Sequence, residues 1–553
     1  MGLAPETLRD GRDLVLEPGW ADGLALPDGT ALEDHLEIAE REAVDEDARA
    51  ALARWRQRSG PLLTVDAIDL AHIAEVELLA RCFVPVARLD HALPAVLRTY
   101  ATTAVASTGG SDGLVGVALA LAAKHGMAVD PGALGDGGSP QQFRWRGFGL
   151  ASVAARAGVR RLGVPPRLRG GVVCVPYWHL VPLYRRLARS SRSLGPVAAG
   201  VALPALGRRD ALGVAVRGGW LGAPGARARR RSQETVDAAL ALARAAGPED
   251  AVDAAVHALA LDVVRAIAGD ALAEVAHARA GLAGGRARLL VLPWDSPAAA
   301  RVLLAAAAAT DVPSLVVQHG FDAGLGDPDK LLAGHIATWS ARDSEDVTRR
   351  GRKPDEHTIT GNPGATHLAA AHPRTADRDR TIVLVEYPGR LSARLGSRAC
   401  MRQAATALRG LAAARPGTTA VVRPHPADPS PEAYGALGAG LDLNVTVDAH
   451  TPIETLLRTA DLVVGAVSTA SLQAIALGVP VGYLDLGGFA RPWPFDGAPD
   501  GLPRATSAEE LAAVAADLVA GRDVPALDVA REALGARPDA IERCVALVGA
   551  LAA

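Results

Sequence analysis

The chain predicts an α/β fold with two tandem doubly wound domains, and three observations lead there. Short apolar, β-branched runs alternate with Ala-rich amphipathic stretches from about Leu62 onward, the pattern of parallel sheets covered by helices. The alternation runs through twice within 553 residues, a length too great for a single core. Several of the apolar runs stop at short segments bearing His, Arg or hydroxyls, and in open α/β sheets ligands bind at the carboxyl ends of the strands.

Taken in order, residues 1–60 form an acidic extension, helix-prone around Leu32–Arg56 and without an evident catalytic group. The first domain is expected over residues 61–335. Its candidate strands are Leu62–Leu70, Ala101–Ser107, Gly171–Pro176, Pro196–Leu203, Leu289–Pro293 and Pro313–Val317; helices are expected at Leu114–His125, Leu180–Ser191, Gln233–Ala246 and Pro297–Ala309. The second domain is expected over 336–553, its series beginning near Ile336. Strands are read at Thr358–Thr360, Thr381–Glu386, Thr419–Arg423, Asn444–Val447, Leu462–Gly465 and Pro480–Leu484. Helices are read at Arg398–Ala414, Thr451–Thr459, Ser471–Leu477 and Ala508–Val519, with Ala371–Arg380 as a polar connection. Two such domains would form a cleft between their sheet edges, a common place for ligands.

Composition narrows the function. The net charge of −3 provides no chain-wide basic field, which weighs against a nucleic-acid binder. Cys82, Cys174, Cys400 and Cys544 lie far apart without a CxxC pair, fitting neither a disulfide scaffold nor a zinc site. No signal-peptide pattern opens the chain, and no apolar run approaches the roughly 18 residues that a membrane span needs. A cytoplasmic protein is expected, with contact to the inner face of the membrane left open.

The segments that could carry chemistry sit where strands end. Two prolines stop the strand Thr419–Val422 and fix the backbone of Arg423-Pro424-His425-Pro426. Arg suits bidentate phosphate contacts, and His donates to phosphate or titrates near neutrality. Ser468-Thr469-Ala470-Ser471 opens a helix, where free N–H groups and capping hydroxyls make an anion site; ordinary N-capping is the plain alternative. Gln318-His319-Gly320 closes a strand, and His319 is read as a general base or a stabiliser of leaving-group charge. Asp295 ends the preceding strand, while Asp66 and Asp69 fall within Leu62–Leu70; each is a further base candidate or a cap. The Gly-rich turn Ser107–Gly113 is neither GxGxxG nor a Walker loop. Arg227, Arg229, Arg230 and Arg231 read as a solvated loop, or as a patch meeting an anionic acceptor or membrane surface. No His/Cys/Asp set has metal spacing, and no GxSxG elbow is present.

With these residues together the chain resembles bacterial glycosyltransferases of the two-Rossmann-domain (GT-B) type, in particular the surface-carbohydrate, capsule and sialyl- or polysialyltransferase-like group. The resemblance rests on Val317–Gly320, His425-Pro426 and Ser468-Thr469, with a fainter echo in Thr360-Gly361-Asn362-Pro363, and covers roughly Leu289 to Leu486. It implies that Arg423, His425, Ser468, Thr469 and Ser471 hold the phosphate of a nucleotide-activated sugar, with a base in the first domain. Gln473 stands where related enzymes carry a Glu for the ribose hydroxyls, and the acidic signature of the sialyltransferases is not evident. The implied reaction is metal-independent, cofactor-free transfer of the sugar to a hydroxyl acceptor. CDP-glycerol glycerophosphotransferases share the His-Gly and Arg-x-His-Pro patterns. UDP-GlcNAc 2-epimerases share the fold but carry an acidic pair where Gln473-Ala474 stand here. A non-catalytic nucleotide-binding scaffold is the remaining alternative.

Overall fold

The computed structural model describes residues 13–16, 38–99, 104–107, 113–130, 166–168, 171–175, 180–190, 198–199, 219–284, 287–320, 332–369, 379–385, 396–425, 431–465, 467–486, 495, 502–520 and 527–553. The strands are β1 (Asp13–Leu16), β2 (Thr64–Val65), β3 (Ile68–Asp69), β4 (Ala104–Ser107), β5 (Ala128–Asp130), β6 (Arg167–Leu168) and β7 (Gly171–Cys174). After them come β8 (Ala198–Ala199), β9 (Gly219–Trp220), β10 (Ala287–Leu292), β11 (Ser314–Val317), β12 (His335–Thr338) and β13 (His357–Ile359). The last six are β14 (Arg380–Leu384), β15 (Thr419–Arg423), β16 (Asn444–Val447), β17 (Leu462–Gly465), β18 (Val481–Leu484) and β19 (Arg504–Ala505).

Two large sheets result, as the alternation predicts. The first has the order β13-β12-β11-β10-β7-β8-β9-β6 and the second β16-β15-β14-β17-β18-β19. Every pairing in them is parallel except the short β6–β9 edge. Parallel strands covered on both faces read as continuous apolar runs. Leu289–Leu292 and Leu462–Gly465 are buried at every position for that reason. The strand order reverses between β7 and β10 in the first sheet, with β6 added beyond β9, and between β14 and β17 in the second. In open α/β sheets, ligand crevices lie at such reversals.

Several expectations need correction. The second series does not begin at Ile336: β12 and β13 pair onto β11, so residues 336–359 belong to the first sheet and the second opens at Arg380. The expected strand Leu62–Leu70 is instead a 3-10 turn, the two-residue strands β2 and β3, and a short helix from Leu70. Asp66 and Ala67 form the hairpin's turn with φ of 50° and 64°, which ends any straight strand there. Strand β4 joins β1 and β5 in a separate three-stranded parallel sheet. The Arg227–Arg231 stretch is helical, within Ala226–Ala245, and not a loop. The N-terminal helical region is present as the helix Ile38–Ser59, but it is no appendage: Val44, Ala48, Leu52 and Trp55 are buried in the same core as the 34-residue helix Ala251–Gly284. The expected connection over 371–378 lies outside the described residues, as do 108–112 of the Gly-rich turn.

The chain then returns to where it began. The helix Ala540–Leu551 buries Cys544 and Val548 against Val172, Leu183 and Leu187 of the first sheet's layer. Arg543 donates to the Ile359 carbonyl (2.6 Å), and the Asn362 N–H donates to the Gly535 carbonyl (2.7 Å). Thr360–Pro363, the faint echo of a donor-domain turn, therefore lies beside this returning segment.

Candidate functional site

Register brings the candidate residues of the first sheet together. Leu292 pairs with Val316, and Val317 with Ala337, so the segments leaving β10, β11 and β12 emerge side by side. Gln318 fixes the middle one. Its side-chain carbonyl accepts the Trp339 N–H (2.9 Å), its amide donates to Asp343 (3.2 Å), and its backbone carbonyl accepts the Trp339 indole N–H (2.8 Å). Asp343 is itself held in a capping box with Ser340. His319, half-buried, follows from this anchored position, and the Trp294 ring lies 5.4 Å from its imidazole with the planes tilted 57°.

Asp295 follows Trp294 in the chain, but its carboxylate is already engaged. It is buried and accepts the N–H groups of Leu332 (2.6 Å) and Ala333 (3.4 Å). Burial pushes its pKa above the usual carboxylate range, with those N–H groups and Arg301 opposing. Asp66 is exposed on the β2–β3 hairpin, outside both large sheets, and does not join His319 at the strand ends. Asp69 caps the helix that follows, accepting the His72 N–H (2.8 Å), and pairs with Arg56 (3.0 Å).

In the second sheet the helix Thr469–Ala476 begins just past β17, beside the reversal of strand order. Ser468 is its N-cap: the hydroxyl accepts the Ser471 N–H (3.3 Å) and lies 3.3 Å from the Ser471 hydroxyl, which is fully buried. Gln473 lies half-buried one turn along. Gly465 lets β17 approach β14 closely, since a Cβ there would stand 2.6 Å from Leu384 Cβ. Arg423 ends β15, two strands from β17 with β14 between, about 10 Å at ordinary strand spacing. Its guanidinium is buried and donates to the Asp448 carbonyl (2.7 Å), with the Asp448 carboxylate 3.6 Å away. Burial lowers its pKa, and Asp448 opposes that. Arg423 thus braces the end of β16, while His425, two residues on, is exposed.

The two sets face each other. A Cβ built on Gly320 would stand 3.9 Å from the Thr469 hydroxyl, so the loop after β11 and the helix start after β17 approach within van der Waals range. The arrangement offers helix N–H groups, hydroxyls and one exposed His on one side, and a braced His on the other. Sequence reasoning missed Gln318 as the latch of that loop and Trp294 as the neighbour of His319. Only the register of β10 against β11 reveals the second.

Elsewhere, Arg229 pairs with Asp270 and Glu274, whereas Arg227, Arg230 and Arg231 are exposed. Among the described residues no group of three or more His, Cys, Asp or Glu could hold a metal ion, and no helix is long and apolar enough to cross a membrane. All four cysteines are buried and none is in a disulfide; burial raises the thiols of Cys82, Cys174 and Cys544, the last to about 11.

No protein-family model and no curated protein matches the chain. Solved structures do. A UDP-GlcNAc 2-epimerase from Neisseria meningitidis bound to UDP-GlcNAc is 10% identical, with a TM-score of 0.43 over 68% of this chain and 98% of that one. Anabaena HepE in complex with UDP and glucose is 12% identical, TM-score 0.38, over 68% and 97%. A lipopolysaccharide outer core galactosyltransferase is 9% identical, TM-score 0.38, over 68% and 98%. Identities and scores of this size say nothing about chemistry.

Proposed function

We propose that this chain is a glycosyltransferase of GT-B architecture that moves a sugar from a nucleotide-activated donor to a hydroxyl acceptor, with neither metal nor cofactor. The observation that supports the reading is the approach of Gly320 to Thr469, which brings the loop carrying His319 towards the helix start at Ser468. In this reading the helix N–H groups at Thr469 and Ala470, the hydroxyls of Ser468 and Thr469, and His425 take the donor phosphate. They stabilise the charge that develops on it as the glycosidic bond breaks. His319 removes the acceptor's hydroxyl proton. Arg423 contributes by shaping the β15 loop that carries His425, and Gln473 would bond the ribose hydroxyls. The acceptor is a glycan, a lipid-linked glycan or a small metabolite.

The test is calorimetric titration of the protein with CMP, CDP, UDP, GDP and TDP, without added metal. One nucleotide is expected to bind, and His425→Ala to weaken it by about tenfold or more, as loss of a charge-assisted phosphate contact should. Unchanged affinity in that variant would remove His425 from the site. CMP binding would favour a sialic-acid-like sugar donor and CDP binding a glycerophosphate donor. Interconversion of UDP-GlcNAc with its 2-epimer would make the chain an epimerase. Absence of binding by all five would overturn the reading.

A further inference from the structure

We propose that Trp294 is a positioning residue for His319, holding the imidazole in one orientation towards the acceptor; this rests on the reading of His319 as the general base. Trp294 is the second residue past β10, and β10 borders the point where strand order reverses in the first sheet, the crevice where ligands enter such folds. Its ring centroid lies 5.4 Å from that of His319 at a tilt of 57°. Tilted aromatic pairs at that spacing attract one another beyond the area they bury.

The wall is fixed from behind. Immediately after Trp294, Asp295 is tied to the Leu332 and Ala333 N–H groups, and the Ser296 carbonyl accepts Arg301 Nε (2.8 Å). Arg301 is 1% exposed and cannot swing away, because its Nη1 donates to the His72 carbonyl (2.8 Å) and to Glu75 (2.9 Å). On the other side the Gln318 latch holds the backbone that carries His319. With both backbones anchored, the remaining freedom of the imidazole is rotation of its own side chain, and the indole limits it. A base must present one ring nitrogen to the acceptor oxygen, so that restriction bears on turnover and not on donor affinity.

Two measurements on the full chain test this. The first needs no turnover: with 13C-labelled histidine, the His319 ring Cε1–H signal is assigned by its loss in His319→Ala. A single narrow line is expected in the wild type and in Trp294→Phe, and an exchange-broadened one in Trp294→Leu, which keeps bulk without a ring. Equal line widths in all three would overturn the inference. The second reads hydrolysis of UDP-GlcNAc, UDP-glucose, GDP-mannose and CMP-N-acetylneuraminic acid. Trp294→Leu is expected to lower kcat about 10- to 100-fold, the loss typical of a misplaced catalytic group, with nucleotide affinity unchanged and no added loss in a His319→Ala background. An equal loss in both backgrounds would overturn the inference, since Trp294 would then act independently of His319. Full turnover in His319→Ala alone would instead overturn the base assignment, while the line widths still report on the contact.

Discussion

Gly320 and Thr469 meet from opposite sheets: the glycine lies three residues past β11, the threonine opens the helix after β17, and a Cβ on the first would lie 3.9 Å from the hydroxyl of the second. An alanine fits in that space, whereas a larger side chain intrudes between the sheets. Gly320→Ala is expected to keep turnover within about twofold, and Gly320→Phe to lower it by about tenfold or more, the scale of a misplaced reacting group. The melting temperature should stay nearly constant in both. Equal kinetics in the two variants would place the substrate elsewhere.

Glu75 gathers two cations. Its Oε2 accepts from Arg56 (2.7 Å) and Arg301 (2.9 Å), with His72 Nδ1 at 3.1 Å. Replacing it with Ala breaks the buried Arg301–Glu75 pair, a loss that costs about 3–5 kcal/mol. Glu75→Gln keeps an acceptor and should cost less. Urea denaturation of the two variants measures the difference.

Stability should fall on acidification through His257. The Trp55 indole N–H donates to His257 Nδ1 (3.0 Å), which leaves Nε2–H to donate to the Ala243 carbonyl (2.9 Å), so the neutral ring satisfies both contacts. Burial is the chief cause that lowers its pKa; the Ala243 contact opposes, and Arg58 and Arg244 add to the lowering. A histidine held neutral in the fold takes up a proton more readily once unfolded. Its stabilising contribution is therefore complete above the unfolded value of about 6.5 and is lost as pH falls from there through the folded value. The urea midpoint should drop between pH 7.5 and 5.5, and drop less in His257→Gln.

Gly465→Ala is expected to destabilise the second sheet. The new methyl would stand 2.6 Å from Leu384 Cβ and 2.7 Å from the Leu384 carbonyl oxygen, so β14 and β17 must part. Overpacking of this kind costs about 1–3 kcal/mol. Because Ser468 follows three residues later, nucleotide affinity should fall along with the melting temperature.

What could be read from the amino acids follows from how each feature is encoded. Thr419–Arg423 and Leu462–Gly465 stand where expected, because strands in a covered parallel sheet announce themselves as apolar runs ended by polar or turn residues. The boundary near 336 was not legible, since β12 and β13 carry the same local pattern whichever sheet they join; only pairing decides. The hairpin at Asp66-Ala67 adopts left-handed backbone without a glycine to signal it. Of the candidate site residues, Thr469 meets Gly320, the neighbour of His319; the Asp295 carboxylate is occupied by the Leu332 and Ala333 N–H groups, and Asp66 is exposed on a hairpin. Arg423 looked like a phosphate ligand because its partner, Asp448, is supplied by a neighbouring strand end 25 residues later.

The returning helix Ala540–Leu551 bears on how this protein is made. Its Cys544 and Val548 close the layer over Val172, Leu183 and Leu187, so the first unit emerging from the ribosome lacks part of its own cover. That unit waits, with an apolar surface exposed, until the entire second unit has been synthesised. Folding in order of synthesis is therefore interrupted, and a nascent chain stopped before residue 540 should be the species that chaperones hold longest.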